Sequence, residues 1–229
     1  MTGIHMSLRQ RKLASFCGLF GSVVLIIGCA VPAFSFHGKN GEAYSLLNYF
    51  ISELGLVGVS KLANVFNGCL IVSSLSIGMF MVGLGRHFQN KLACAGTISG
   101  LVFAMLGSVV GQIPMNDLEI HLKVAFVYFL SGLFTIGLFS LVIVRDRKNR
   151  LSHWLMIPSL IAMTSFAALV AWPLITRQTL ADIIRVYHTS RPGIWVLAIL
   201  EWLVFITGTT WIILVSACLW MRGDPQTKG

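Results

Sequence analysis

Residues 92–113 read LACAGTISGLVFAMLGSVVGQI, a run of 22 residues without a formal charge. As an α-helix it spans roughly 33 Å, which matches the ~30 Å hydrocarbon core of a bilayer. Five more runs of similar length and composition lie on either side. Read by length and flanking charge, the six run from Leu13 to Phe36, Leu62 to Leu84, Leu92 to Ile113, Leu122 to Val144, Trp154 to Ile175 and Trp195 to Trp220. Lipid cannot satisfy exposed backbone N–H and C=O groups, so runs of this length are helices. The expected fold is therefore an all-α, polytopic bundle of six transmembrane helices.

Composition agrees with that reading. The chain is 56% hydrophobic and 11% charged, whereas a soluble domain carries roughly a quarter charged residues. No stretch between the runs exceeds about 25 residues, too short for a separate soluble domain. Residues 1–229 are expected to form a single transmembrane domain.

The charges sort by side. Arg9, Arg11, Lys12, Arg86, Lys91, Arg145, Arg147, Lys148, Arg150, Arg222 and Lys228 fall on one side, with only Asp146 and Asp224 against them. Lys39, Lys61, Lys123, Arg177, Arg185 and Arg191 share the other side with Glu42, Glu53, Asp117, Glu119 and Asp182. The positive-inside rule then makes both termini cytoplasmic, and much of the net charge of +9 is a topology signal. Nucleic-acid binding needs a folded basic surface, which such short loops do not supply. The short loops and an N-terminus without transit-peptide character point to a bacterial cytoplasmic membrane.

Ile26-Ile27-Gly28-Cys29 loosely resembles a lipoprotein cleavage box, but the apolar run continues through Phe34, so the first span is expected to be retained. Cys17, Cys29, Cys69, Cys94 and Cys218 lie in or at the ends of spans without a Cys-x-x-Cys pair and read as small hydrophobes. Gly18 and Gly21, Gly96 and Gly100, and Gly107 and Gly111 put small residues on single helix faces, where backbones can approach closely. Ser73, Ser74 and Ser76 can bond their own helix carbonyls.

The chemically informative residues gather on the outer side. The densest stretch is Asn48-Tyr49-Phe50-Ile51-Ser52-Glu53-Leu54-Gly55, followed by Asn64-Val65-Phe66-Asn67-Gly68. Read as a helix ending at Gly55 and Gly58, the first would share a face between Asn48 and Ser52 and place Glu53 in a partly dry interfacial setting. Ser52-Glu53-Leu54-Gly55 with Phe66-Asn67-Gly68, then Gly111-Gln112-Ile113-Pro114, His121 and Ala125, resemble the membrane family known as domain of unknown function 998, over roughly Ser15 to Val144. That turn more often reads glycine, aromatic, proline, so Gln112 and Ile113 depart from the pattern. The family is distantly similar to the Frag/DRAM/Sfk group, implicated in lipid-anchor remodelling and autophagy. The resemblance implies a fold and candidate positions, and no reaction.

Asp117 and His121 stand four apart, which on a helix brings carboxylate and imidazole within reach as a general base or as a metal ligand with its partner. The competing reading places Asp117 at a helix start, where the dipole favours an acid, and His121 as an anchor at the headgroups. Glu201 is the only formal charge well inside a span. At a cost of about 2.5–3.5 kcal/mol in lipid, it must face the bundle, a cavity or a partner. His37, His121 and His188 converging with Asp117 on one divalent metal would suit a zinc-bound water, but they lack any local ligand spacing, so no metal site is assigned and the cofactor stays open. Arg185 and Arg191 offer guanidinium groups to a lipid phosphate, against the default of exposed interfacial arginines. Thr176 to Gly193 has the spacing of a short amphipathic helix on the outer surface, a lid over the outer mouth.

Three functions remain open on these residues. The first is an outer-leaflet pocket that binds or processes a lipid, with Asp117, His121 and Glu53 catalytic and Ser52, Asn67, Glu201 and Arg191 binding the substrate. The second is a transporter with a protonatable Glu201, although no inverted repeat or interrupted span is evident. The third is a non-catalytic accessory protein whose small-residue faces pack on a membrane partner or a second copy.

Overall fold

The computed structural model describes residues 6–38, 41–189 and 191–222. Six long helices and one short one follow in order: α1 Leu8–Ser35, α2 Ala63–Phe88, α3 Lys91–Gln112, α4 Leu118–Arg145, α5 Met156–Ile175, α6 Leu180–Thr189 and α7 Val196–Met221. All but α6 are long and apolar enough to cross a membrane. Helix ends follow local chemistry. α1 begins at Leu8 rather than Leu13 because Ser7 and Gln10 form a reciprocal capping box, with Ser7 Oγ accepting from Gln10 N at 3.2 Å. Between α2 and α3 the chain reverses at Gln89 (φ 51°), and Asn90 accepts the Ala93 N–H at 2.7 Å.

Each long helix packs on its sequence neighbour, and α7 closes the ring by packing on both α1 and α5. Lys12 lies over the Trp220 ring at 5.6 Å, so α1 begins and α7 ends at the same end of the bundle. Aromatic side chains fill the middle of the ring. Phe103 stacks on Tyr128 at 4.4 Å, and buried Trp211 donates to Ser159 Oγ at 2.8 Å. The small-residue faces are used inside the chain: a Cβ on Gly18 would meet Ser216 Oγ, and one on Gly100 would meet Met81.

At the end that carries the two helix termini, Arg150 ties three elements together. Its guanidinium donates to the His87 and Phe88 carbonyls at 3.0 and 2.8 Å, closing the C-terminus of α2. It also binds Asp146 Oδ1 at 2.9 Å, and its own backbone N–H donates to the same carboxylate. Burial works against the Asp146 charge, but the Arg150 side chain and amide outweigh it and hold the carboxyl below the usual aspartate range. A depressed acid contributes stability above its ordinary value near ~4 and loses it as pH falls through the native value. Asp146→Asn is therefore expected to cost about 2 kcal/mol at neutral pH and progressively less in acid. Thermal unfolding of both proteins across pH checks it.

The 45–55 segment differs from the expected helix. A turn at Ser45 to Tyr49 leads into a 3-10 helix, Ile51–Gly55, and all five residues of the latter are buried. Tyr49, Phe50, Ile51 and Leu54 are apolar nearly all round, so the segment enters the mouth of the ring as a plug instead of lying amphipathically at the interface. Tyr44 holds the plug by donating to the Phe50 carbonyl at 2.8 Å.

Candidate functional site

The plug brings several polar side chains into the ring mouth. Glu53, 1% exposed, accepts from the Phe50 amide at 2.9 Å and from Arg191 through both oxygens at 2.9 and 2.6 Å. Arg191 also donates to the Asn48 carbonyl at 2.9 Å and stacks on Tyr49, its Cζ 4.0 Å from the ring centroid. Burial pushes the Glu53 carboxyl up, and the Arg191 guanidinium and the Phe50 amide pull it back. Burial likewise opposes the Arg191 charge, and Glu53 more than offsets it. The net effect leaves the carboxyl above its ordinary value, with burial the largest cause. Arg191, to which the sequence offered a lipid phosphate or water as partner, is half-buried and through Glu53 locks the segment before α7 to the plug.

Glu201 lies in the first turns of α7 and accepts the Ile51 amide at 2.8 Å, with the Ser52 amide and hydroxyl beside the same carboxyl. Ser52 Oγ donates to Met115 Sδ at 3.1 Å. His121, 3% exposed, bonds the Ile113 carbonyl through Nδ1 at 2.6 Å. A carbonyl only accepts, so Nδ1 carries the proton and Nε2 of the neutral ring is left as an acceptor. This tautomer is assigned from the bond, and the helix break at Ile113-Pro114 is what supplies the carbonyl.

Ser52, His121 and Glu201 line two adjoining spaces. The inner one, about 90 Å³, lies in the ring between Cys29, Phe103 and Trp211, enough for a few waters. The outer one is a groove of about 490 Å³ between α4, α5 and the start of α7, with Ile183 of α6 over it. Its walls include Ala125, Phe126, Leu169, Val170 and Leu174. Phe126 and Leu174 are 43% and 72% exposed, so the groove opens on the lipid-facing side of the bundle. The α6 helix buries no residue of its own and is amphipathic, as the spacing predicts, and its Leu180 and Ile183 line the groove.

The remaining candidates are elsewhere. Asp117 is exposed and stands at the N-cap position just outside α4 (φ −106°, ψ 76°) without a side-chain capping bond, so the four-residue spacing to His121 is not a helical one, and among the described residues no hydrogen bond joins them. Asn67 donates to the Gly55 carbonyl at 3.0 Å and holds the plug to α2. Asn116, passed over by the sequence reading, pairs with both backbone groups of Val57 at 3.0 and 2.9 Å. His37 and His188 are exposed, and no group of metal-ligating residues forms among the described residues. The groove walls on α5 went unnoticed; the signal was Pro173 near the helix end, beside Leu169, Val170 and Leu174.

A family model described as a protein of unknown function (DUF998) matches residues 23–217. No curated protein and no solved structure matches the chain.

Proposed function

The chain belongs to the DUF998 family and is an integral multi-pass membrane protein, and we propose that it holds one membrane lipid, with the chain in the α4–α5 groove and the polar end against Ser52, His121 and Glu201. One observation carries this reading: an apolar groove of about 490 Å³ ends on three polar side chains inside a membrane-spanning bundle. Ligand sites of this size are typically apolar walls with a few convergent polar groups. Intramembrane ionisable groups are costly and are found where they serve a site. With both termini cytoplasmic in a bacterial membrane, as the loop charges favour, the groove opens to the outer leaflet.

A second reading, hydrolysis or acyl transfer in the same groove, is favoured by the tautomer of His121. Its Nε2 is the acceptor that a general base requires, and Ser52 is the hydroxyl lining the same space. A transport reading needs a polar route beyond Glu201, and the inner walls there include Phe103, Phe166 and Trp211.

Native mass spectrometry of the protein extracted in an amine-oxide detergent tests the binding reading. One lipid per chain should survive desolvation and be identifiable after release. A chain that always appears bare, and takes up no lipid from added membrane extract, contradicts it.

A further inference from the structure

We propose that α6 is a lid over the polar end of the groove, latched through Tyr187 and Arg191 to Glu53 of the plug, and that release of this latch admits and discharges the bound lipid. This rests on the lipid-pocket reading above and names how that site is opened.

The α6 helix is built to move as a unit. Its N-terminus is closed by its own chain: Asp182 accepts from the Thr179 amide and hydroxyl at 2.9 and 2.7 Å, and Thr179 Oγ accepts from the Asp182 amide in return. Arg185 donates to Asp182, and Thr189 to the Arg185 carbonyl. These polar side chains are satisfied without the bundle. The helix rests on the core through Ile183, Ile184, Val186 and Tyr187, none of them fully buried. Segments with so few buried contacts open at low cost.

Both connections leave room for that motion. Residues 174–179 before α6 are exposed, and Arg177 turns the chain in the left-handed region (φ 54°). After α6, Gly193 and Ile194 are exposed, and the chain is fixed again at Trp195, whose amide donates to the Leu47 carbonyl at 2.8 Å. Residues 192–194 span about 10 Å when extended, which bounds the lift. Arg191 makes the one ion pair from this segment to the rest of the protein among the described residues. Its Cζ lies 5.4 Å from the centre of the Tyr187 ring, and the Tyr187 hydroxyl lies beside the Glu53 carboxyl. Plug, latch and lid therefore meet at one carboxyl group.

The groove gives the latch its purpose. Leu180 and Ile183 line it together with Ser52, His121 and Glu201. With α6 in place, a polar head reaches that floor only sideways, past Phe126, Leu169, Val170 and Leu174, and loses its hydration among walls that offer no partner. With α6 raised, the head enters from the end of the bundle while the chain slides between α4 and α5.

The test places nitroxides, carried on genetically encoded residues, at exposed His188 near the far end of α6 and at exposed Asp117 before α4, in the full-length protein in phosphatidylglycerol nanodiscs. Pulsed electron paramagnetic resonance then reads their separation. Wild type is expected to show one main distance. Tyr187→Phe and Arg191→Lys, which weaken the latch but keep the cation, should each add a second population longer by about 5 Å or more, inside the reach of the linkers. Release of the co-purified lipid into excess amine-oxide micelles, followed by native mass spectrometry, should be at least about fivefold faster in both. Should Arg191→Lys fail to fold, Tyr187→Phe decides. An unchanged distance distribution in the folded variants, or release at the wild-type rate, overturns the latch and leaves the lipid-pocket reading standing. A wild-type protein that never carries lipid overturns both.

Discussion

Arg191→Ala should destabilise the protein by about 3 kcal/mol, because it leaves the Glu53 carboxylate buried without its cation. The Glu53 side chain is 2% exposed and that of Arg191 22%, so water screens the pair little. The loss extends beyond charge, since Arg191 also stacks on Tyr49 and carries the Asn48 carbonyl. Arg191→Lys should recover only part of it, because an ammonium cannot reproduce the bidentate fork. Thermal unfolding of Arg191→Ala, Glu53→Gln and the double variant should show a double loss well below the sum of the singles, with coupling of about 2 kcal/mol. Additive losses would mean that the two side chains act independently.

The second large effect is on binding. Ala125→Phe and Val170→Trp each place an aromatic ring in the groove from opposite walls, one on α4 and one on α5. Each should lower lipid retention at least about tenfold, the loss expected when a ligand must give up much of its buried apolar surface. Ile161→Trp, on a part of α5 that is 54% exposed and not lining the groove, serves as the control and should retain lipid. The readout is the lipid-bound fraction in native mass spectra of folded, monodisperse protein. Retention in both plugged variants would place any bound lipid elsewhere.

The six spans and the amphipathic α6 were legible because both signals are local: run length against bilayer thickness, and periodicity within ten residues. The helix ends shifted by a few residues where caps decided, as Ser7 and Gln10 show. The site was only partly legible. Glu53, Ser52, His121 and Glu201 stood out as polar residues in apolar surroundings, which is a compositional signal. Their partners did not, since Glu53 reaches Arg191 across 138 residues and Ile51 reaches Glu201 across 150. No spacing rule spans such separations.

Asp117 and His121 illustrate the opposite failure. Their spacing of four has meaning only inside a helix, and α4 begins at Leu118, so Asp117 lies outside the turn that would have aligned them. Pro114 is the sequence feature that marks this boundary. It ends α3 at Gln112 and frees the Ile113 carbonyl, which then accepts the His121 Nδ1–H hydrogen bond that the pairing would have assigned to Asp117.

The most direct measurement is a cryo-electron microscopy structure of the protein in lipid nanodiscs, read at the groove between α4 and α5. The account predicts one chain-shaped density between Ala125 and Val170, ending in a polar head within hydrogen-bond distance of Ser52, His121 or Glu201. A groove filled by the protein's own side chains, or lipid density only on the outer faces of the bundle, would contradict it.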